Sequence, residues 1–493
     1  MGSISHGAFV QQLHHSFSTH GSEALMTRAR RRRLIAESSE RSGTNSEAFV
    51  QDLAAGRQEW RDWANLTSEL VEDIAGRLLS DDVSEYYRFR AVCRPWRDHT
   101  ADLRARGALD RRFRPRNWVV LTISPDAGPR RRVINMATAA SLSVNLPALT
   151  THCHLGAVDG LLVLFHRITK AICLLDPLNN AVTEFPAISI SSIMATVPPV
   201  MAYHFSMFFR SPNSLNGHSI NGACLDESTS PPTLVLCMRD DQSCIIVAKP
   251  GDPHWTLVNQ GKLYHSETMG RVMFHSLLSQ GGRCYVASLE GSIFLVELGP
   301  LPQLVKIIDQ HQHATRDAIL YIRIISYLVG GSNGRMLLVR YWRNVEHFGG
   351  RGAYNQTQLF TVGGVTGRIE VSEVDIAGRT LIPVRSLGHY AAFVGMTHCM
   401  LVSTKTFPSI VADAIYLGYS YQLSRKFSIY YLKTRRAEPP HEFVLDENQR
   451  VVPCARPCNL DQYLVCYVDR KHRLSGPCIN HVGHYFLRHS ISD

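Results

Sequence analysis

The stretch VMFHSLLSQGGRCYVASLEGSIFLVEL, Val272 to Leu298, reads as β-structure throughout. Its short apolar runs are parted by Gly281-Gly282 and Glu290-Gly291. Paired glycines supply the positive φ angles that a tight hairpin needs. The same texture recurs on either side. Trp118 to Ile123 comes first, then the runs within Asp159 to Pro186 and TLVLCMRDDQSCIIVAKPGDPHWTLV from Thr233 to Val258. Arg335 to Asp375, Tyr390 to Tyr419 and Phe427 to Lys433 follow. After a longer first unit, the units begin roughly 50 residues apart, and no long helix intervenes. Hairpin-built units of similar size point to radial repetition, a β-propeller of about six blades. A pair of β-sandwiches is the alternative. The earliest strand and the last clear one, Phe427 to Lys433, are expected to share a terminal blade, so that no edge is left open.

Ahead of the β region the pattern changes. Leu66, Leu70, Ile74 and Leu78 recur every fourth residue, widened by Val71, Ala75 and Leu79. That spacing predicts an amphipathic helix starting near Thr67. Glu69, Glu72 and Asp73 stand in its first turns, where carboxylates suit the positive end of the helix dipole. Asp82 is placed to cap a second helix with Tyr86, Phe89, Val92 and Cys93 on its apolar face. Arg94-Pro95 ends that helix, and Pro95 suits the start of a third, which carries Trp96. Three short helices make a small core, since each buried Leu or Ile contributes only ~1.5–3 kcal/mol.

The pattern Leu66-x-x-Glu69-Leu70-x-x-x-Ile74-x-x-x-Leu78, followed by FRAVCRPWR from Phe89 to Arg97, resembles an F-box. It departs from that family at Thr67, where Pro is usual. The β region resembles the KIB-type β-propeller domain of plant F-box proteins. Gly388 to Tyr419, Leu174 to Pro186 and Ala248 to Val258 carry the likeness, which covers roughly residues 118 to 435. The resemblance implies a non-catalytic substrate receptor of an SCF-type ubiquitin ligase. Its F-box would dock on a Skp-type adaptor, and through it a cullin, while the propeller holds an unknown protein target. Leu66, Leu70, Val71, Ile74, Cys93 and Trp96 would make or support the adaptor contact. The alternative is a binding protein with a vestigial F-box whose propeller sequesters a partner.

The chain has 493 residues, 45% apolar and 19% charged, values that exclude a wholly disordered, collagen-like or coiled-coil protein. Its formal charge of +10 comes from 52 basic against 42 acidic residues, scattered along the chain, so no nucleic-acid partner is expected. The long uncharged stretch Phe185 to Phe209 holds Pro186, Pro198 and Pro199 and reads as loop plus strand, not a membrane span. No secretory signal opens the chain, and the twelve cysteines are expected to be reduced thiols in cytoplasm or nucleus.

The expected organisation is multidomain α+β. Residues 1–58 form a disordered basic, Ser-rich segment, 60–105 a three-helix F-box, 116–440 the propeller and 441–493 a Cys/His-containing extension. Arg30, Arg31, Arg32 and Arg33 within RARRRR are a nuclear-import candidate.

Motifs for chemistry are sparse. GGSNG, Gly330 to Gly334, fits the nucleophile-elbow pattern around Ser332, but the strand-like RMLLVRYW after it favours a hairpin turn. Cys454, Cys458, Cys466, Cys478, His481, His484 and His489 invite a zinc reading, with Cys454/Cys458 and Cys478/His481 as pairs. Cysteines on strands and exposed histidines explain them as well, so no metal and no cofactor is assigned. His152-Cys153-His154 reads as a strand entering the propeller. Arg130-Arg131-Arg132 and Arg111-Arg112 with Arg114 read as solvated loops, with a patch for an acidic partner as the alternative.

Overall fold

The leucine stripe forms a helix from Ser68 to Asp81 (α1), with Thr67 in extended backbone as its N-cap. Asp82 caps the next helix, Val83–Val92 (α2), its carboxylate accepting the Ser84 N–H at 2.8 Å. Cys93 is extended, and Arg94–Asp98 (α3) follows with Pro95 in its first turn. A short 3-10 turn, Trp63–Asn65, precedes α1. This computed structural model describes residues 62–102, 108–121, 129–195, 220–238, 244–259, 272–310, 322–331, 334–344, 360–362, 365–394, 399–408, 410–418, 426–437, 441–445 and 451–453. They fall into two units, divided between Leu103 and Arg104.

The core of the helical unit is small. Val71 and Ala75 of α1 and Val83, Tyr86 and Phe89 of α2 are buried. Tyr86 donates its hydroxyl to the Ala101 carbonyl at 3.0 Å, and Arg90 donates to the Thr100 carbonyl at 2.6 Å. Those bonds tie the chain beyond α3 back onto α2. Val92, expected on the apolar face, is 64% exposed. It is the last residue of α2, beyond the turn that meets α1.

The second unit is a six-bladed β-propeller. Blade 1 is β1 (Trp118–Leu121), β2 (Arg130–Asn135) and β3 (Ser141–Asn145). Blade 2 is β4 (His152–Val158), β5 (Leu161–His166), β6 (Ala171–Leu175) and β7 (Val182–Ala187). A helical turn, Ile190–Ala195 (α4), leads onward. Blade 3 is β8 (Ile220–Asp226), β9 (Thr233–Met238), β10 (Cys244–Ala248) and β11 (Thr256–Leu257). Blade 4 is β12 (Phe274–Gln280), β13 (Arg283–Ser288), β14 (Ile293–Glu297) and β15 (Gln303–Ile308). Blade 5 has β16 (Ile322–Gly330), β17 (Met336–Asn344), β18 (Phe360–Val362), β19 (Val365–Asp375) and β20 (Thr380–Pro383). Blade 6 has β21 (Tyr390–Val394), β22 (Cys399–Ser403), β23 (Ala414–Gly418), β24 (Lys426–Tyr431), β25 (Arg436–Ala437), β26 (His441–Leu445) and β27 (Val451–Pro453). Its order departs from simple succession, because β21 pairs antiparallel with β22 but parallel with β23.

Both faces of a blade are covered by neighbouring blades, so middle strands such as β9 and β10 are buried along their whole length. Blades 2 and 3 share one apolar core, and the 3–4, 4–5 and 5–6 seams each have their own. The ring closes where Val119, Ile134 and Met136 of blade 1 pack on Phe393, Val402, Tyr416 and Ile429 of blade 6. The first and last strands therefore do not share a sheet, contrary to expectation. Face-to-face burial closes the ring instead, and it needs no common strand.

One turn design repeats around the ring. Asn135, His166 and Asp375 end strands and Asp176 directly follows one, and each accepts, with its side chain, backbone N–H groups two or three residues on. Four residues after each stands a residue at positive φ: Ala139 (61°), Lys170 (63°), Asn180 (60°) and Arg379 (51°). Side-chain mimicry of a backbone acceptor closes these turns without glycine at the left-handed position. The Gly281-Gly282 hairpin does use glycine at both, with φ 59° and 77°.

Other expectations change. Arg130–Arg132 lie in strand β2, not a loop, with Arg130 and Arg132 exposed. Within Phe185 to Phe209, Ile190–Ala195 is helical. Cys224 of β8 and Cys284 of β13 are disulfide-bonded, their Cα atoms 6.3 Å apart, so not every cysteine is a thiol. The seam between blades 3 and 4 joins positions 60 residues apart in sequence. Gly330 pairs with Met336 across the β16–β17 hairpin, which agrees with the turn reading of GGSNG. Ser332 itself, Arg30–Arg33 and the Cys454–His489 cluster lie outside the described residues. Among described residues, no helix is long and apolar enough to cross a membrane.

Candidate interaction site

The start of α1 is held by side chains. Hydrogen bonds from its own backbone N–H and from the Thr67 and Ser68 hydroxyls keep the Glu69 carboxyl below its ordinary range. Thr67 thus contributes to the first turn although its hydroxyl caps no backbone N–H.

The six residues singled out from sequence separate into distinct places. Val71 is fully buried against α2 and is core. Leu70, one position earlier, is 51% exposed. Leu66, Ile74, Cys93 and Trp96 are half-buried. Trp96 stacks on buried Phe89, ring centroids 4.4 Å apart, and its indole N–H donates to the Trp63 carbonyl at 2.8 Å. It works as an internal strut more than as an outward contact. Trp63, not singled out from the sequence, is 55% exposed. Its turn is closed by the Asn65 N–H on the Asp62 carbonyl and by the Asn65 amide on the Asp62 carboxylate at 2.6 Å. Trp63, Leu70 and Val92 are the exposed large apolar residues among those described in this unit, and an exposed aromatic is a common anchor of a docking surface. The signal of Trp63 in sequence was a lone Trp just ahead of the helix.

In the propeller, a cavity of about 240 Å³ is lined by residues of all six blades, including Trp118, Leu162, Ala223, Leu277, Leu328 and Met400, and so lies on the ring axis. Near it the chain leading into β1 is clamped. The buried Arg114 guanidinium pairs with Asp159 of the β4–β5 turn at 2.8 Å and with Glu227 beyond β8 at 2.7 Å, and donates to the Leu109 carbonyl at 2.7 Å. Arg111 also reaches Glu227, at 3.3 Å. Burial, with the nearby Glu184 carboxylate, pushes the Cys173 thiol up to about 11, so it stays protonated at neutral pH. Among the described residues no His, Cys, Asp and Glu cluster is arranged to hold a metal ion.

The family model of the KIB1-4 beta-propeller matches residues 112–431, from the Arg111–Phe113 turn to the end of β24. The chain belongs to the KIB1-4 β-propeller family. The KIB1-4 propeller is a protein-interaction fold. No curated protein matches the chain in sequence. Among solved structures it is similar to the β-propeller domain of Myceliophteria thermophila Cps50 (Swd1), 9% identical over 71% of this chain and 98% of that one, at TM-score 0.28. The WD40 domain of SCAP from fission yeast is 9% identical over 68% and 69%, at TM-score 0.26.

Proposed function

We propose that the chain is a substrate receptor of an SCF-type ubiquitin ligase. Its helical unit acts as an F-box that docks on a Skp-type adaptor and, through it, a cullin, while the propeller holds a target protein. The observation that carries this reading is the split of the α1 stripe. Val71 and Ala75 face inward and suffice for the small core, leaving Leu70 exposed beside half-buried Leu66 and Ile74. An apolar stripe wider than its own core requires has a second surface to cover. The work done is spatial: target lysines are held at high effective concentration near the ubiquitin-loaded enzyme, and this chain performs no chemistry. Residence in cytoplasm or nucleus goes with that role, with Arg30–Arg33 as import signal.

The experiment is removal of residues 60–105 from the otherwise full chain. Target binding should persist while target turnover stops, and the truncated chain should act dominantly. Equal target half-lives with and without the deletion, at matched expression, favour the sequestering alternative.

A further inference from the structure

Three inner strands share one irregularity. The pairing register slips once near the start of β4, β8 and β12, between His154 and Gly156, Ile220 and Gly222, and Phe274 and Ser276. The residue after each slip is small, and Gly156, Gly222 and Ser276 all line the cavity on the ring axis. Bulges recur beside binding sites, where they redirect or interrupt the side chains of a strand. Here they leave small residues where three blades meet the axis, while Trp118, Leu162, Leu277, Leu328 and Met400 supply apolar wall.

Arg116 and Asp159 are the only charged residues among the cavity's described lining. Asp159 is already paired with the buried Arg114 at 2.8 Å. Arg116 is exposed, and Glu227 stands 4.0 Å from it. Arg114 and Arg111 hold that carboxylate more closely, at 2.7 and 3.3 Å. The Arg116 Nη2 donates to the Arg111 carbonyl at 3.4 Å, and among the described residues its Nε and Nη1 have no partner. Three arginines thus face two carboxylates, and the surplus positive charge sits at the cavity mouth. Its place is fixed by the backbone. The Arg114 clamp holds the chain just ahead of it, and Gly160, at φ 81°, lets that chain lie against the β4–β5 turn. A Cβ at Gly160 would collide with the Pro115 carbonyl.

We propose that the axial cavity binds a small aliphatic monocarboxylate, its chain along the axis and its carboxylate on Arg116. The head group follows from charge and shape. A carboxylate brings one negative charge and two acceptor oxygens, which match the planar guanidinium fork. An ammonium head would reach Asp159 only in competition with Arg114. An apolar cavity with one convergent polar group is the usual form of a small-molecule site. Three consecutive residues of β1 and of β12 line the wall, so it runs about 10 Å along the strands. An extended chain of about eight carbons spans that length. The inference goes beyond target holding and does not depend on how the helical unit docks.

The test is calorimetric titration of the full chain with octanoate, octylammonium, acetate, hexanoate and dodecanoate, paired with melting curves. Octanoate should bind at least about tenfold more tightly than octylammonium or acetate and should raise the melting temperature with concentration. Hexanoate should bind more weakly than octanoate, and dodecanoate no more tightly, because the cavity is of fixed length. Arg116→Gln should weaken octanoate binding about tenfold. Ala223→Leu should abolish it by filling the cavity, and Arg116→Gln, at an exposed side chain, still decides the matter should that variant fold poorly. Adaptor binding on the same samples should be unchanged by octanoate, so a failure here is distinct from a failure of docking. Equal affinity for octanoate and octylammonium, octanoate binding unaffected by Arg116→Gln, or affinity that keeps rising through dodecanoate would each overturn the proposal. A leucine-ended nonapeptide that binds more tightly than octanoate and displaces it would assign the cavity to a protein terminus and overturn the small-molecule source.

Discussion

The indole N–H of Trp96 donates to the backbone carbonyl of Trp63 across 2.8 Å, joining α3 to the turn ahead of α1. Because the acceptor is a carbonyl, the bond holds the turn whatever side chain stands at 63. Stability and docking can therefore be separated. Trp96→Phe keeps the stacking on Phe89 and removes only the donor, and it should lower the melting temperature equally with Trp or Ala at 63. In adaptor binding, Trp96→Phe should matter only while the Trp63 indole is present. A double-mutant cycle read by calorimetry and by binding checks both. Additive losses in binding would remove Trp63 from the docking surface.

Left-handed backbone at non-glycine positions should be correctable. Ala139→Gly, Lys170→Gly and Arg379→Gly each relieve a positive φ that L side chains adopt at a cost of roughly 1–2 kcal/mol, partly offset by the extra freedom of glycine when unfolded. Each should stabilise the propeller by about 0.5–1 kcal/mol in chemical denaturation. Asn180→Gly should gain less, since asparagine tolerates this conformation.

Asp176 gives a pH dependence of defined sign. Burial pushes its carboxyl up from 3.8 to about 6, against hydrogen bonds from the Leu178 and Asn179 N–H groups. The native state therefore holds the proton more tightly than the unfolded chain, and stability falls as pH rises between those values. Asp176→Asn keeps the Oδ1 acceptor and removes the charge. It should be more stable than the wild type above pH 6, by up to about 3 kcal/mol, with the gain vanishing near pH 4. Urea midpoints across that range check it.

His152 acts in the opposite direction. Burial and neighbouring His166 hold it below the ordinary 6.5, opposed by the Ala148 carbonyl and Glu184. The unfolded chain takes up the proton first, so stability is full above pH 6.5 and declines as pH falls through the native value. His152→Gln should flatten that part of the stability profile while leaving the Asp176 part intact.

Local features were legible in the sequence, and long-range ones were not. Thr67, Asp82 and Pro95 mark helix starts because N-cap and first-turn preferences act within one turn, although only Asp82 caps through its side chain. Whether Leu70 or Val71 faces inward was not legible, since both belong to one stripe and the packing of α2 decides between them. Strand β2 is hidden by Arg130–Arg132, because its exposed basic half breaks the apolar pattern and only the pairing with β1 and β3 makes it a strand. Closure of blade 1 on blade 6 and the Cys224–Cys284 pair join distant segments, and no period records them. Trp63 was missed because it precedes the repeating stripe that drew attention to α1.

The most direct measurement of the central claim is the affinity of the full chain for a purified Skp-type adaptor, compared between wild type and Leu70→Asp. Leu70 is exposed, so the substitution spares the Val71–Phe89 core while placing a charge in an apolar contact. The expected result is clear wild-type binding that drops at least about 30-fold in Leu70→Asp, from a loss of 2 kcal/mol or more, with both units still folded. Undiminished binding by Leu70→Asp, or no binding by the wild type, would contradict the account.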